Sequence, residues 1–393
     1  MLPAFRRSIV NTLESRMREP RKFIQVVVGP RQTGKTTAVR QALEALDVPS
    51  SLARASQDIP ASRDWLRRQW DEARQAAGRD PYILAIDEIQ LVSQWSSVVK
   101  ELWDEDSDNG IDLRVILTGS SSLLLQHGLR EALTGRFEVI PCQQWELSEC
   151  KEAFGFTLDD YLFFGGYPGA AELKADPDRW LSYMQNSIIA PSVFRDVISL
   201  DRITKPALMD ALFSLGCAYS GQEVSYRKLL GQLDDAGNAT TIAHYLTLLG
   251  DAGLLSGLQK YTGKQMKSRA SSPRLMVHDT SLMTATYGPG RNALLTDSAV
   301  RGHLVESAVG AYLTKRAKAE NFKVFWWRDG TKEVDFVLQD GNALTAIEVK
   351  SGRVKGLGGL DAFHQRFAQS KSIVVGSQDA PLDAFLKGEV PLF

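Results

Sequence analysis

The chain has 393 residues, 44% of them hydrophobic and 24% charged, which is enough apolar material for more than one core and excludes a disordered chain. Lys plus Arg number 46 against 47 Asp plus Glu, and this net charge of −1 excludes a uniformly basic nucleic-acid coat while leaving local patches open. The three cysteines (Cys142, Cys150, Cys217) have no paired spacing, so they predict core thiols rather than a disulfide frame or a zinc site. No stretch approaches the roughly 18 apolar residues of a membrane helix, and the N-terminus has no signal-peptide run. A cytoplasmic protein without a membrane partner is expected.

Apolar Phe5, Ile9, Leu13 and Met17 recur every four residues among six basic ones, Arg6, Arg7, Arg16, Arg18, Arg21 and Lys22. This predicts an amphipathic helix, packed on one side, with a solvated cationic side or a nucleic-acid contact on the other. The β-branched run Phe23–Val28 predicts a buried strand, as do Tyr82–Ile86 and Leu113–Leu117, with helical patterns between them. Strands alternating with helices predict an α/β unit with a parallel sheet.

Directly after the first strand, Gly29-Pro30-Arg31-Gln32-Thr33-Gly34-Lys35-Thr36 matches G-x-x-x-x-G-K-[ST], followed by Thr37 as a helix opens. Glycines let the backbone wrap phosphates, and successive N–H groups and the helix N-terminus point at negative charge. Lys35 would reach the β/γ oxygens of ATP and Thr36 would ligate Mg²⁺. The strand Ile83–Ile86 ends in Asp87-Glu88, 52 residues after Lys35. Asp87 would hold the Mg²⁺ shell and Glu88 would polarise the attacking water. The next strand ends Leu117-Thr118-Gly119-Ser120, where Ser120, and after it Thr118, is expected to sense the γ-phosphate.

This order, continued by Leu133-Thr134-Gly135-Arg136-Phe137, resembles the AAA-plus ATPases. More narrowly it is similar to the prokaryotic branch reading Gly-Pro-Arg-Gln-Thr-Gly-Lys-Thr. The resemblance implies a P-loop AAA-plus domain, a helical lid, a winged helix-turn-helix and a C-terminal α/β nuclease-like domain. It also implies a homo-oligomeric ring, such as a hexamer, with an arginine supplied across the subunit interface: Arg136, or in reserve Arg130. An Arg136 paired with a surface carboxylate is the other reading. Arg195 is a guess for a second sensor.

The expected boundaries are 1–150 for the ATPase, 151–204 for the lid, 205–262 for the winged helix and 263–393 for the nuclease-like domain. The turn Gly165-Gly166-Tyr167-Pro168-Gly169 is expected at a domain junction. Asn238–Leu249 predicts a helix opened by an Asn cap. If it enters a DNA groove, Thr240, Thr241 and His244 face the DNA, with Lys260, Lys264, Lys267 and Arg269 on phosphates. The basic segment Lys260–Arg274 reads as an exposed wing or linker.

Near the C-terminus, Glu306 lies in a helical pattern, Asp335 in an alternating strand, and Glu348 and Lys350 on one face of the next strand. A hairpin through Asp340-Gly341-Asn342 brings Asp335 close to them. The set resembles the PD-(D/E)xK nuclease core, which implies that Glu306, Asp335 and Glu348 bind Mg²⁺ or Mn²⁺ while Lys350 orients water. Trp326-Trp327-Arg328 would stack on nucleic acid or fill the core. Two functions follow: an ATP-hydrolysing DNA-processing protein, acting for example on branched or recombination intermediates, or a regulatory ATP switch that docks protein partners.

Overall fold

The computed structural model describes residues 2–56, 62–119, 132–193, 203, 205–233, 237–263, 272–287, 296–352 and 356–393. They divide into two units, Met1–Gln143 and Gln144–Phe393.

In the first unit five parallel strands, β1 (Ile24–Val28), β2 (Ser50–Arg54), β3 (Tyr82–Asp87), β4 (Leu113–Gly119) and β5 (Phe137–Pro141), stand in the order β2-β3-β4-β1-β5. β1 is buried along its whole length because both faces are covered, so its sequence shows no polar alternation. On one face Val26, Leu84, Ile86, Val115 and Leu117 pack against α3 (Arg63–Ala77) and α4 (Trp95–Asp108). On the other, Val27, Ile83, Ala85 and Ile116 pack against α1 (Ser8–Arg18) and α2 (Lys35–Glu44). Alternate residues of each strand thus serve opposite cores. Basic residues flanking α1 are used internally: Arg7, which precedes its first turn, donates to the carbonyls of Thr33 and Gln143, each at 3.1 Å. Arg21 lies on the ring of Trp103 and donates to its carbonyl oxygen at 2.8 Å.

The second unit opens with helices α5 (Leu147–Phe154), α6 (Leu158–Phe164) and α7 (Pro177–Tyr183). The Gly165–Gly169 turn expected at a junction is interior to this unit. The Gly166 N–H donates to Asp279 Oδ2 at 2.9 Å, and a Cβ at Gly166 would run into the Trp145 carbonyl. The close approach, not a linker, accounts for the glycine pair. Next come α8 (Pro206–Ala218), α9 (Tyr226–Gln232) and α10 (Ala239–Asp251), then an antiparallel ribbon of β6 (Leu255–Leu258) and β7 (Arg274–Val277). α11 (Thr280–Tyr287) and the 23-residue α12 (Ser298–Glu320) lead to a four-stranded sheet. Its order is β11-β10-β9-β8, from β8 (Lys323–Asp329), β9 (Lys332–Asp340), β10 (Ala343–Val349) and β11 (Lys371–Val375). β10 and β11 are parallel and the other pairs antiparallel, with α13 (Gly358–Arg366) packed on the sheet through Leu360 and Phe363.

Trp326 and Trp327 are buried, which settles their alternative in favour of core filling. The three cysteines are free and buried. Among the described residues no helix is long and apolar enough to cross a membrane.

Candidate functional site

The phosphate loop runs from the end of β1 to the first turn of α2. Two residues in it take positive φ, Gln32 (60°) and Gly34 (91°), which turns successive N–H groups toward one concavity. A Cβ at Gly29 would collide with the Cys142 carbonyl, so only glycine lets the loop lie against β5. Thr33 is buried and its hydroxyl donates to the carbonyls of Pro30 and Cys142, both at 3.0 Å, which holds the loop closed on itself. Lys35 is also buried; its ammonium donates to the carbonyls of Gly29 at 2.9 Å and Pro30 at 2.6 Å. Gln32 is exposed and Arg31 half-buried in the loop, and Thr36 and Thr37 are half-buried in the first turn of α2.

Register brings the tips of β3 and β4 to this loop. Asp87 is 1% exposed, and its Oδ2 accepts from the Thr36 hydroxyl at 2.9 Å while its Oδ1 accepts from the Thr118 hydroxyl. A hydroxyl and a carboxylate within hydrogen-bond reach of each other form a hard oxygen pair that fits Mg²⁺. Such an ion, if held there, would supply positive charge for the phosphates of a bound nucleotide. Thr36 and Asp87 are the residues that would hold it. Glu88 follows at φ 57° and ψ 41°, a left-handed conformation uncommon outside glycine and one that clusters at functional sites. Its carboxylate accepts from the Gln90 amide.

Two participants were not visible in the motif. Arg54, at the end of β2, is opposite Asp87 in register and lies 3.6 Å from Asp87 Oδ2, with its side chain 68% exposed. Arg7 braces the loop from α1 through the contacts given above; only the tertiary packing of α1 brings it there. Ser120 and Arg130 lie outside the described residues, as does Arg195. Arg136 makes a two-pronged pair with Asp104, at 2.7 and 2.9 Å, which must open before the arginine could serve a neighbouring subunit.

In the second unit the N-terminal turn of α10 carries the residues expected to face DNA. Asn238 caps the helix, accepting from the Thr241 N–H at 3.0 Å. Thr240 and His244 are exposed and Thr241 is half-buried. Lys260 lies with its ammonium 5.8 Å from the Trp326 ring centre. Lys264, Lys267 and Arg269 lie outside the described residues.

The C-terminal set does come together. Lys350 donates to Glu348 Oε1 at 2.6 Å and Asp335 Oδ2 accepts from the Val349 N–H at 2.8 Å, as the β9–β10 hairpin requires. The exposed wing expected through Arg274 is corrected: Arg274 is 3% exposed. β7 pairs with β6 and turns it inward, so its guanidinium enters the carboxylate set. It donates to Glu306 Oε1 at 2.8 Å and approaches Asp335 Oδ1 at 3.4 Å, and it also pairs with Glu333. The expected Mg²⁺ or Mn²⁺ does not fit this arrangement, because a fixed cation already engages two of the three expected ligands. Among the described residues no group of three or more His, Cys, Asp and Glu is set to hold a metal ion.

Burial pushes the Glu306 carboxyl from its ordinary 4.5 up to about 8; Arg274 opposes this, and Asp335 and Glu348 add to it. The Glu348 carboxyl is raised too, first by burial and then by Asp335. The folded state therefore holds more protons than the unfolded chain between 4.5 and about 8, so stability falls as pH rises through that window. Calorimetric melting of the second unit is expected at lower temperature at about pH 8 than at about pH 5. Glu306→Gln should flatten the slope; an unchanged slope in that variant would reject the assignment.

Comparison with known proteins matches three successive stretches of the chain. Residues 21–151 match the model of the AAA domain family AAA_14. Residues 155–292 match a domain of unknown function, DUF8612, and residues 301–387 another, DUF4143. An uncharacterized protein of Mycobacterium tuberculosis is 25% identical over 328 residues, 83% of this chain and 70% of the relative. An uncharacterized protein of Methanocaldococcus jannaschii is 24% identical over 275 residues, 65% of this chain and 58% of the relative. Of solved structures, the Thermotoga maritima RuvB Holliday junction branch migration motor aligns with TM-score 0.34 and 18% identity, covering 64% of this chain and 89% of its own. The Aeropyrum pernix ORC1 protein in complex with DNA aligns with TM-score 0.30 and 13% identity, covering 73% and 92%. Scores this low establish no common fold.

Proposed function

We propose that the protein is a Mg²⁺-dependent ATPase that acts on DNA. The observation that carries the ATPase reading is the convergence of the Thr36 and Thr118 hydroxyls on the buried Asp87 carboxylate beside the phosphate loop. The AAA domain match over residues 21–151 supports it. In this reading Gly29 to Thr37 cradle the phosphates. Lys35 leaves its loop carbonyls to meet the β/γ oxygens, and Glu88 orients the attacking water. Ser120 is the γ-phosphate sensor. Arg136, freed from Asp104, is the finger that one protomer of a ring gives to the next.

The DNA reading rests on the second unit. Three helices followed by an antiparallel ribbon support a winged helix-turn-helix with Thr240, Thr241 and His244 on its exposed helix turn. The four-stranded sheet with Asp335, Glu348 and Lys350 supports a nuclease-like fold that binds DNA. With Arg274 among the acids, no metal-dependent cutting step is derived. The boundaries proposed remain an ATPase to residue 150, a lid at 151–204, a winged helix from 205 and the nuclease-like domain to 393. The test is phosphate release with single-stranded, duplex, forked and four-way DNA, with Lys35→Ala as control. DNA-stimulated turnover that disappears in Lys35→Ala is the expected result. Turnover indifferent to every DNA would reject the DNA reading and favour the protein-docking switch.

A further inference from the structure

The sequence Asp87-Glu88-Ile89-Gln90 places a glutamine two residues beyond the Glu88 carboxylate, on the turn that leaves β3. Glu88 takes the left-handed conformation at φ 57° and ψ 41°, and a single 3₁₀ turn, Ile89–Leu91, follows it at once. The Leu91 N–H donates to the Glu88 carbonyl and the Val92 N–H to the Ile89 carbonyl, both at 3.0 Å, which closes the turn. Ile89 is 0% exposed and Val92 1%, and both belong to the core shared with α3 and α4. An uncommon backbone conformation persists where its surroundings over-determine it, and here the strand on one side and two buried apolar anchors on the other do so. Between those anchors Gln90 is half-buried, and its side-chain amide donates to Glu88 Oε2.

A glutamate that must present an oxygen to one water has its side-chain torsions to fix, and losing that freedom costs free energy. A hydrogen bond from a neighbouring amide fixes them in advance. The donor is neutral, so it orients the carboxylate without cancelling the charge that makes it a strong acceptor; Arg or Lys in its place would pair with that charge. A carboxylate accepts at two oxygens, so a bond at Oε2 is compatible with a water at Oε1. We propose that Gln90 is a positioning residue for ATP hydrolysis, holding the Glu88 carboxylate in the orientation that meets the attacking water. It acts through Glu88 and is given no contact with nucleotide. This rests on the ATPase reading of Glu88 and adds to it a residue outside both the phosphate loop and the acidic pair.

The test is steady-state phosphate release by the full-length protein, with affinity for a fluorescent ADP analogue measured on the same samples. Gln90→Met keeps the length of the side chain and removes its donor. Its kcat is expected to fall about tenfold, the scale of one hydrogen bond to a charged group, with KM for ATP and affinity for the ADP analogue within about twofold of wild type. Gln90→Glu sets a second carboxylate against Glu88 and is expected to fall at least as far. In a Glu88→Gln background Gln90→Met is expected to cost nothing further, because the group it positions has already lost its function. A kcat within about twofold of wild type in folded Gln90→Met would overturn the proposal. So would a loss of the same size in the Glu88→Gln background, or a loss carried by KM and analogue affinity, since either marks a merely structural role. Where Gln90→Met fails to fold, Gln90→Glu is put through the same comparisons, with the same outcomes deciding. Wild type lacking any turnover that Lys35→Ala removes would reject the ATPase reading, and this proposal with it; turnover that Lys35→Ala removes and Gln90→Met leaves intact would reject this proposal alone.

Discussion

Asp87→Ala is expected to lower ATP turnover by about 10²- to 10³-fold, the scale of removing one fixed electrostatic group from a phosphoryl-transfer site. Asp87 is the acceptor of the hydroxyls of both Thr36 and Thr118, so its loss disconnects the loop from the tip of β4 as well as removing the carboxylate proposed to hold Mg²⁺. Thr118→Val separates the two contributions. It leaves the carboxylate and removes one of its donors, so a loss of about tenfold is expected, the scale of one hydrogen bond to a charged group. Phosphate release at saturating ATP measures both. Turnover of Asp87→Ala within threefold of wild type would show that the carboxylate does not serve the reaction.

Asp279→Ala is expected to cost about 2–6 kcal/mol of stability, at about 1–3 kcal/mol for each of two buried N–H donors left without a partner. Asp279 is 2% exposed and accepts from the Gly166 N–H at 2.9 Å and the Ser281 N–H at 3.1 Å. Burial raises its carboxyl, and Lys315 is the largest influence in the other direction. Lys315 is itself buried, donating to the Trp145 carbonyl at 3.3 Å and the Tyr161 hydroxyl at 3.2 Å. Removing Asp279 orphans two N–H groups and takes away the acceptor of the Ser281 hydroxyl, which donates to its Oδ1 at 2.5 Å. Gly165→Ala attacks the same joint from the other side, since a Cβ there would meet Asp279 Oδ1. Urea unfolding followed by circular dichroism reads both. A midpoint shift in Asp279→Ala equivalent to less than about 1 kcal/mol would show that the joint is dispensable.

The phosphate loop was legible because its chemistry is local: glycines, lysine and threonine at fixed spacing between a strand and a helix. Asp87 was legible because an apolar run ending in a carboxylate places that carboxylate at the tip of a buried strand. Glu348 and Lys350 followed from the two-residue period of a strand, which needs no knowledge of neighbours. Arg274 was not legible as a site residue. Its burial depends on β7 pairing with β6 across the intervening segment, and no local pattern in a run of basic residues distinguishes the inward-facing member. The one clue is the apolar Leu275-Met276-Val277 that follows it, which continues as a buried strand. Arg7 was misplaced for the same reason: a helix pattern tells which face packs, not which basic side chain will reach a loop in another part of the chain. Gly165 and Gly166 read as a turn at a domain junction because glycine marks turns and tight contacts alike.

The two carbonyls that receive the Lys35 ammonium set what an anion must offer to displace them. The cation is buried, and dipoles of its own loop serve as its acceptors. A phosphate group would compete with those two neutral acceptors by virtue of its own negative charge, since hydrogen bonds to an ionised acceptor are the stronger ones.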